Sequence, residues 1–239
     1  ARKAKKIMVD IDKIELNKSK VILDEKICCD AKYFLKNLLK FLPKKTNISQ
    51  QWLSYCKKVR KKYPIVLDQF KKQKKYLNSY DFVDSLSDVL ESKDIIVTDM
   101  GLSFVGTHQA FKIKKGQRLF SAFGNSPMGY AFPAAIGASI ANKNERIICI
   151  DGDGSIQINI QELQTMVANK LPIKLFIINN NGYGIIKQFQ ELYLNKRFEA
   201  SVSTKGVTNP SFKKISNAYG INYNEIRNNK DINKILSKV

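Results

Sequence analysis

Three short apolar runs constrain the architecture most. "DIIVTD" (94–99), "RIICID" (146–151) and "IKLFIINN" (173–180) are rich in β-branched residues, and each stops at an Asp or Asn. Runs of this length bounded by polar residues read as buried strands rather than as helices. Helical patterns lie between or before them: Phe82, Leu86, Val89 and Leu90, then "PAAIGASIA" (133–141), then Gln161–Asn169. Near-continuous apolar strands alternating with helices predict an α/β fold, a parallel sheet with helices on both faces. The stretch between "DIIVTD" and "PAAIGASIA" reads as irregular and glycine-containing, and no internal repeat is present.

The regular pattern starts only at Tyr80. Residues 1–43 open with a strand-like "KKIMVDID" and end in an amphipathic helix at Ala31–Phe41. Residues 44–79 are lysine-rich, with one helical pattern (Trp52, Tyr55, Cys56, Val59) broken at Pro64, and read as a basic connecting segment. Three regions are therefore expected: 1–43, a linker at 44–79, and a main domain at 80–239.

Residue counts exclude several chemistries. His108 is the only histidine, so a multi-histidine zinc site is impossible, and no GxSxG elbow accompanies it. A Ser-His-Asp triad could be built only around His108, so most acid–base work must fall to carboxylates or to a cofactor. The four cysteines (Cys28, Cys29, Cys56, Cys149) lack CxxC spacing and read as reduced thiols of a cytoplasmic protein. A net charge of +20 raises the question of nucleic acid, yet the lysines are scattered and no nucleic-acid-binding framework surrounds the densest run, 57–76. No specific nucleic-acid partner is expected. Nor is a membrane, because no apolar segment has spanning length.

The chemistry concentrates at strand ends, where open parallel sheets hold their ligands. These ends are "VTDMG" (97–101), "IDGDGS" (150–155) and "IINNNGYG" (177–184). Gly152 and Gly154 permit positive φ and a close backbone approach. Ser155 stands at the start of the next helix, where free N–H groups and the dipole favour phosphate. Asp153 would repel a phosphate unless a divalent cation bridged the two. Oxygen ligands without histidine or thiolate suit Mg²⁺ or Ca²⁺. Asn180 offers an amide oxygen and Gly182 a backbone carbonyl. Alone, "GDG" is usually a tight turn and "NNNG" a loop. Following apolar strands one βαβ step apart, they point to a metal–diphosphate site.

From Gly152 to Asn180 the chain resembles the thiamine-diphosphate motif, GDG followed by NN. "GDGSIQINIQELQT", "INNNGYGIIKQFQE", "SPMGYAFPAAIGA" (126–138) and "AKKIMVDIDKIEL" are similar to the acetolactate synthase-like branch of that family. The resemblance implies the thiamine-diphosphate-binding fold. It also implies Mg²⁺ held by Asp153, Asn180 and the carbonyl of Gly182. Gly101, Gly152, Gly154, Ser103 and Ser155 fall among the cofactor-binding positions, Gly154 and Ser155 as donors to the diphosphate. Met128 matches the apolar wedge that keeps the cofactor bent, and the Ser126 carbonyl matches the acceptor for its 4′-amino group. The implied reaction is decarboxylation of a 2-oxo acid, pyruvate in the first instance, with transfer of the acyl unit to a second carbonyl compound.

In such enzymes the glutamate that activates the cofactor comes from a pyrimidine-binding domain on a neighbouring subunit, in homodimers or homotetramers. Neither Glu15 nor Glu25 matches it, so no catalytic residue is expected in this chain. The opening resembles the last strand of the family's central domain, and the end stops short of a further strand. On that reading the chain is a fragment or half of a split enzyme, inactive alone, with residues 1–43 a central-domain remnant. A place for FAD in the full-length protein is left open. Two departures bear on substrate: Leu102 and Ser103 replace a Gln-His pair, and Phe189 in "KQFQ" replaces a Trp. Both fit sugar-directed acyl transfer better than acetolactate synthesis. A different reading keeps the fold as a catalytically silent cofactor-binding or regulatory module.

Overall fold

A computed structural model describes residues 3–18, 20–43, 49–143 and 145–239. The chain divides into two compact units, Ala1–Lys62 and Tyr63–Val239.

In the first unit, β1 (Ile7–Asp10), α1 (Lys13–Lys18), β2 (Glu25–Cys28), α2 (Ala31–Phe41) and α3 (Gln50–Lys62) follow in order. β1 and β2 pair in parallel, Ile7 opposite Glu25. Asp30 caps α2 by accepting the Tyr33 N–H at 3.0 Å, which starts the helix at its expected residue. Leu16 is buried here, whereas Leu35, Leu39 and Phe41 of α2 are exposed.

The second unit contains α4 (Asp68–Lys71), α5 (Ser79–Val89), β3 (Ile95–Thr98), α6 (Leu102–Ala110), β4 (Arg118–Phe120), α7 (Ala131–Ala141) and β5 (Ile147–Gly152). A 3₁₀ helix (Ile156–Glu162), α8 (Leu163–Ala168), β6 (Ile173–Ile178), α9 (Gly184–Tyr193), α10 (Phe212–Ala218) and α11 (Ile232–Leu236) complete it. The strands form a parallel sheet in the order β4-β3-β5-β6. β3 thus lies between β4 and β5, and the chain leaves it in both directions. In open parallel sheets such a reversal is where a ligand crevice is expected, at the carboxyl ends of β3 and β5.

Period-two alternation along β5 builds a core on each face. Ile147 and Cys149 join Phe132, Ile136, Leu163 and Phe212 on one side. Ile148 and Ile150 join Phe82, Leu86, Ile232 and Leu236 on the other. Ile147, Ile148, Cys149 and Ile150 are all fully buried, which explains why this part of the strand reads as an unbroken apolar run.

Three features depart from the sequence reading. The supposed irregular stretch contains α6 and β4. α6 buries Ser103, Gly106, Thr107 and Ala110, small or polar residues that leave no apolar period, and β4 has only three residues. The helix expected over Gln161–Asn169 is α-helical only from Leu163 to Ala168, preceded by the 3₁₀ segment. Asn159 breaks the helical geometry there (φ −129°) while its side chain donates to the Gly129 carbonyl at 2.6 Å. The segment expected as a linker is divided between the units. α3 belongs to the first, whereas Phe70 of α4 packs on Tyr80 at 5.7 Å within the second. The boundary placed at residue 44 lies outside the described residues. No helix among the described residues is long and apolar enough to cross a membrane.

Arg146, just before β5, closes the edge of the sheet opposite the crevice. Its Nε and Nη2 donate to both oxygens of Asp94 at 2.7 and 2.6 Å, and Nη1 donates to the Val239 carbonyl at 2.9 Å. Asp94 is 3% exposed, so removing the guanidinium strands a buried carboxylate. Arg146→Ala is expected to lower unfolding free energy by about 3 kcal/mol in urea titrations. Arg146→Lys, which keeps the charge and loses the two-pronged contact, should cost less.

Candidate functional site

The parallel register sets the three polar strand ends side by side. Thr98 is opposite Ile150, and Gly152 is opposite Ile178. One residue further, Asp99 N–H donates to the Ile150 carbonyl at 3.1 Å, and Asp153 N–H to the Ile178 carbonyl at 3.3 Å.

Asp153 is 3% exposed, and backbone and amide N–H groups satisfy its carboxylate. Oδ1 accepts from Gly154 N–H at 2.9 Å. Oδ2 accepts from the Asn209 side-chain amide at 2.6 Å and from Gly182 N–H at 3.3 Å. An ionised carboxylate has about four lone-pair sites, so Oδ1 keeps capacity for a cation while Oδ2 is fully engaged. Asn209 escaped the sequence reading. Its amide also reaches Asn179 Oδ1 at 3.3 Å, and its own oxygen accepts from Gln157 Nε2 at 3.0 Å. The only signal was Asn-Pro, which marks a turn and says nothing of a partner 56 positions away.

The glycines act differently from expectation. Positive φ occurs at Gly101 (82°) and Gly129 (82°), and not at Gly152 or Gly154. At Gly154 the requirement is space: a Cβ would lie 2.4 Å from the Tyr183 ring. At Gly182 a Cβ would lie 2.5 Å from the Ser201 carbonyl oxygen, where an isolated antiparallel bridge pairs Gly182 with Val202. A Cβ on Gly152 would meet Ser155 at an ordinary 3.7 Å, so no local contact demands glycine there. Ser155 is buried at the start of the 3₁₀ segment. A short 3₁₀ turn aligns its peptides less well than an α-helix, so the dipole expected there is weaker.

Asn180 is exposed in the loop between β6 and α9, its Nδ2 3.1 Å from where a Gly184 Cβ would stand. The same loop carries the Gly182 N–H to Asp153 at 3.3 Å. Beside it opens a cleft of about 420 Å³ lined by residues including Gly154, Gln157, Tyr183, Val207 and Asn209.

The remaining expected residues lie elsewhere around the crevice. Gly101 precedes α6, and a Cβ on it would be 3.9 Å from Ile185 of α9. Ser103 is buried, its hydroxyl donating to the Met100 carbonyl at 2.8 Å, while Leu102 is partly exposed. Ser126 adopts φ 45° in the turn before α7, with Met128 exposed two residues on. Phe189 is exposed on α9 against Tyr193 at 4.8 Å. His108 Nδ1 donates to the Phe104 carbonyl at 3.0 Å, and its ring packs on Phe104 and Phe123. The single histidine is thereby committed to packing.

Asp151 contrasts with Asp153. Burial, followed by the nearby Asp99 charge, pushes its carboxyl up to about 8. Oδ1 accepts from Gly152 N–H at 2.7 Å, and Oδ2 is buried without a partner. Burial and the same two acids also push the Cys149 thiol well above its ordinary value. Among the described residues no three His, Cys, Asp or Glu side chains cluster as metal ligands.

Residues 99–239 match the family described as "Thiamine pyrophosphate enzyme, C-terminal TPP binding domain". The chain is 36% identical, over 99% of its length, to the acetolactate synthase large subunit of Cyanidium caldarium, covering 40% of that relative. It is 33% identical to the probable acetolactate synthase large subunit of Methanococcus aeolicus, over 100% of this chain and 41% of the relative. Against acetolactate synthase isozyme 1 large subunit of Escherichia coli (strain K12) identity is 28%, over 99% of the chain and 40% of the relative. The chain spans about two fifths of the length of these curated relatives.

Two outcomes follow from the geometry. Gly154→Ala forces a methyl into the Tyr183 ring and should destabilise the protein by about 2 kcal/mol in thermal or urea unfolding. A thiol whose ionisation is suppressed by burial does not react while the fold holds. Iodoacetamide at mildly alkaline pH should therefore alkylate the exposed Cys28 and Cys56 and spare Cys149 until denaturant is added, as peptide mass mapping would show.

Proposed function

Because the chain belongs to the thiamine pyrophosphate enzymes, matching their C-terminal TPP-binding domain in the acetolactate synthase-like branch, we propose that it anchors thiamine diphosphate and Mg²⁺. The complete enzyme would decarboxylate a 2-oxo acid, in the first instance pyruvate, and transfer the acyl unit to a second carbonyl compound. The observation carrying this reading is the buried Asp153 carboxylate, oriented by Gly154, Gly182 and Asn209 with Oδ1 retaining lone-pair capacity.

The residues present fit the cofactor. Asp153 Oδ1, the Asn180 amide oxygen and the Gly182 carbonyl would hold the cation, with Gly154 and Ser155 facing the diphosphate. Gly154 lines the cleft together with Tyr183, whose ring leaves no room for a Cβ at 154. Bound thiamine diphosphate supplies the carbanion chemistry that the side chains here lack. What the chain itself does is hold. Asn209 and Gln157 fix Asp153 by hydrogen bonds from neighbouring segments, so the cation meets a preorganised ligand. Met128, exposed beside Gly129, presents an apolar side chain for the cofactor's ring portion.

The proton-activating glutamate belongs, on this proposal, to a pyrimidine-binding domain of a second subunit, and the complete protein works as a homodimer or homotetramer. The chain spans about two fifths of the length of its relatives, so the activity of the whole enzyme is a proposal for a protein that also supplies that domain. Leu102, Ser103 and Phe189 support an acceptor other than that of acetolactate synthesis, with a keto sugar as the leading candidate. Free cysteines at positions 28, 29, 56 and 149 support a reducing, cytoplasmic setting.

Calorimetry with thiamine diphosphate tests the anchor. Binding should require Mg²⁺ and weaken by about tenfold or more, roughly 1.4 kcal/mol, in Asp153→Ala. Metal-independent binding indifferent to that substitution would remove the proposed site. Donor and acceptor are tested by assaying the complete enzyme on pyruvate with candidate aldehydes and keto sugars.

A further inference from the structure

The "VTDMG" strand end carries an acid that the site described above does not use. Asp99 lies just beyond β3 and is 1% exposed. Its Oδ1 accepts from Gly129 N–H at 3.3 Å, and its Oδ2 from Ala131 N–H at 2.9 Å. Ala131 is the first residue of α7, whose own preceding residue, Tyr130, provides no side-chain cap. A carboxylate from a distant strand therefore performs the capping and meets the positive end of the helix dipole.

The segment so held is the turn carrying Ser126 and Met128. It takes an uncommon path, with Ser126 at φ 45° and Gly129 at φ 82°. A residue with a side chain at 129 would be blocked, since its Cβ would lie 2.9 Å from both Asn159 Nδ2 and Ile158 Cγ2. Asn159 holds the turn from the other side by donating to the Gly129 carbonyl at 2.6 Å. One residue, Gly129, is thus gripped at its N–H by Asp99 just beyond β3 and at its C=O by Asn159 of the 3₁₀ segment. Neither grip touches Asp153 or the loop of Gly182.

We propose that Asp99 is a positioning residue which, with Asn159, sets the Ser126–Gly129 turn for the ring portion of the cofactor, independently of the diphosphate anchor. The proposal rests on the thiamine diphosphate reading for the identity of the ligand and on Asp99 geometry for the mechanism. Two separable subsites follow. One binds cation and diphosphate through the β5 and β6 ends. The other receives the rings through a turn fixed from β3.

The experiment pairs amide exchange of the ligand-free protein with calorimetry of two ligands, thiamine diphosphate and inorganic diphosphate, each with Mg²⁺. In the wild type, Gly129 and Ala131 amides should exchange at least about a hundredfold slower than in an unstructured chain. Asp99→Asn leaves only one acceptor oxygen and should speed both by about tenfold. It should leave inorganic diphosphate affinity within about twofold and weaken thiamine diphosphate by about tenfold. Asn159→Ala, acting from the opposite side, should produce the same split, and it decides the matter should Asp99→Asn not fold. Unprotected Gly129 and Ala131 amides in the wild type would overturn the proposal. So would variants that weaken both ligands alike, or neither. A wild type that ignores thiamine diphosphate would count against the functional reading, while the exchange data would still decide whether Asp99 holds the turn.

Discussion

A buried carboxylate with three N–H donors joins segments far apart in the chain. Asp153 receives Gly154 from its own turn, Gly182 from the loop after β6, and Asn209 from the stretch before α10. A polar group at 3% exposure is costly to bury without such donors. The same bonds that make the charge tolerable also aim it. Tyr183 and Ser201 crowd the two glycines, so the turn and the loop can approach only where side chains are absent. A cation ligand oriented in advance requires little rearrangement on binding.

The acids at neighbouring strand ends differ in the donors the fold brings to them. Asp99 receives two backbone N–H groups and a helix N-terminus. Asp151 receives one N–H, leaves an oxygen buried without a partner, and has its carboxyl pushed up to about 8. Equivalent residue types in similar sequence contexts thus carry unlike roles. What separates them is which backbone groups the fold brings within reach.

Much of the architecture was legible in the sequence. β5 is buried on both faces, so Ile147–Ile150 are uniformly apolar and the strand stands out. α2 is amphipathic and begins at an Asp that caps it, so its extent could be read directly. α6 and β4 could not be. A helix that buries Ser103, Gly106 and Thr107 has no apolar period, and a three-residue edge strand has too little length to show one. The helix expected from Gln161 starts only at Leu163, and the 3₁₀ segment ahead of it could not be read because the Asn159 bond to Gly129 that shapes it spans 30 residues.

The site divides along the same line. Sequence alone determined that an acid between glycines after one apolar strand, and Asn and Gly after the next, would meet at one edge of a parallel sheet. Strand order and polarity suffice for that, since consecutive parallel strands end at the same edge. Tertiary structure alone decided which lone pair of Asp153 remains open, that Asn209 orients it, that Gly154 is needed for space and not for positive φ, and that Asp99 grips the turn before α7. Each of these depends on side-chain direction and on contacts across tens of residues. Local propensity carries no record of such distances, because the energy that fixes them appears only when the chain has folded.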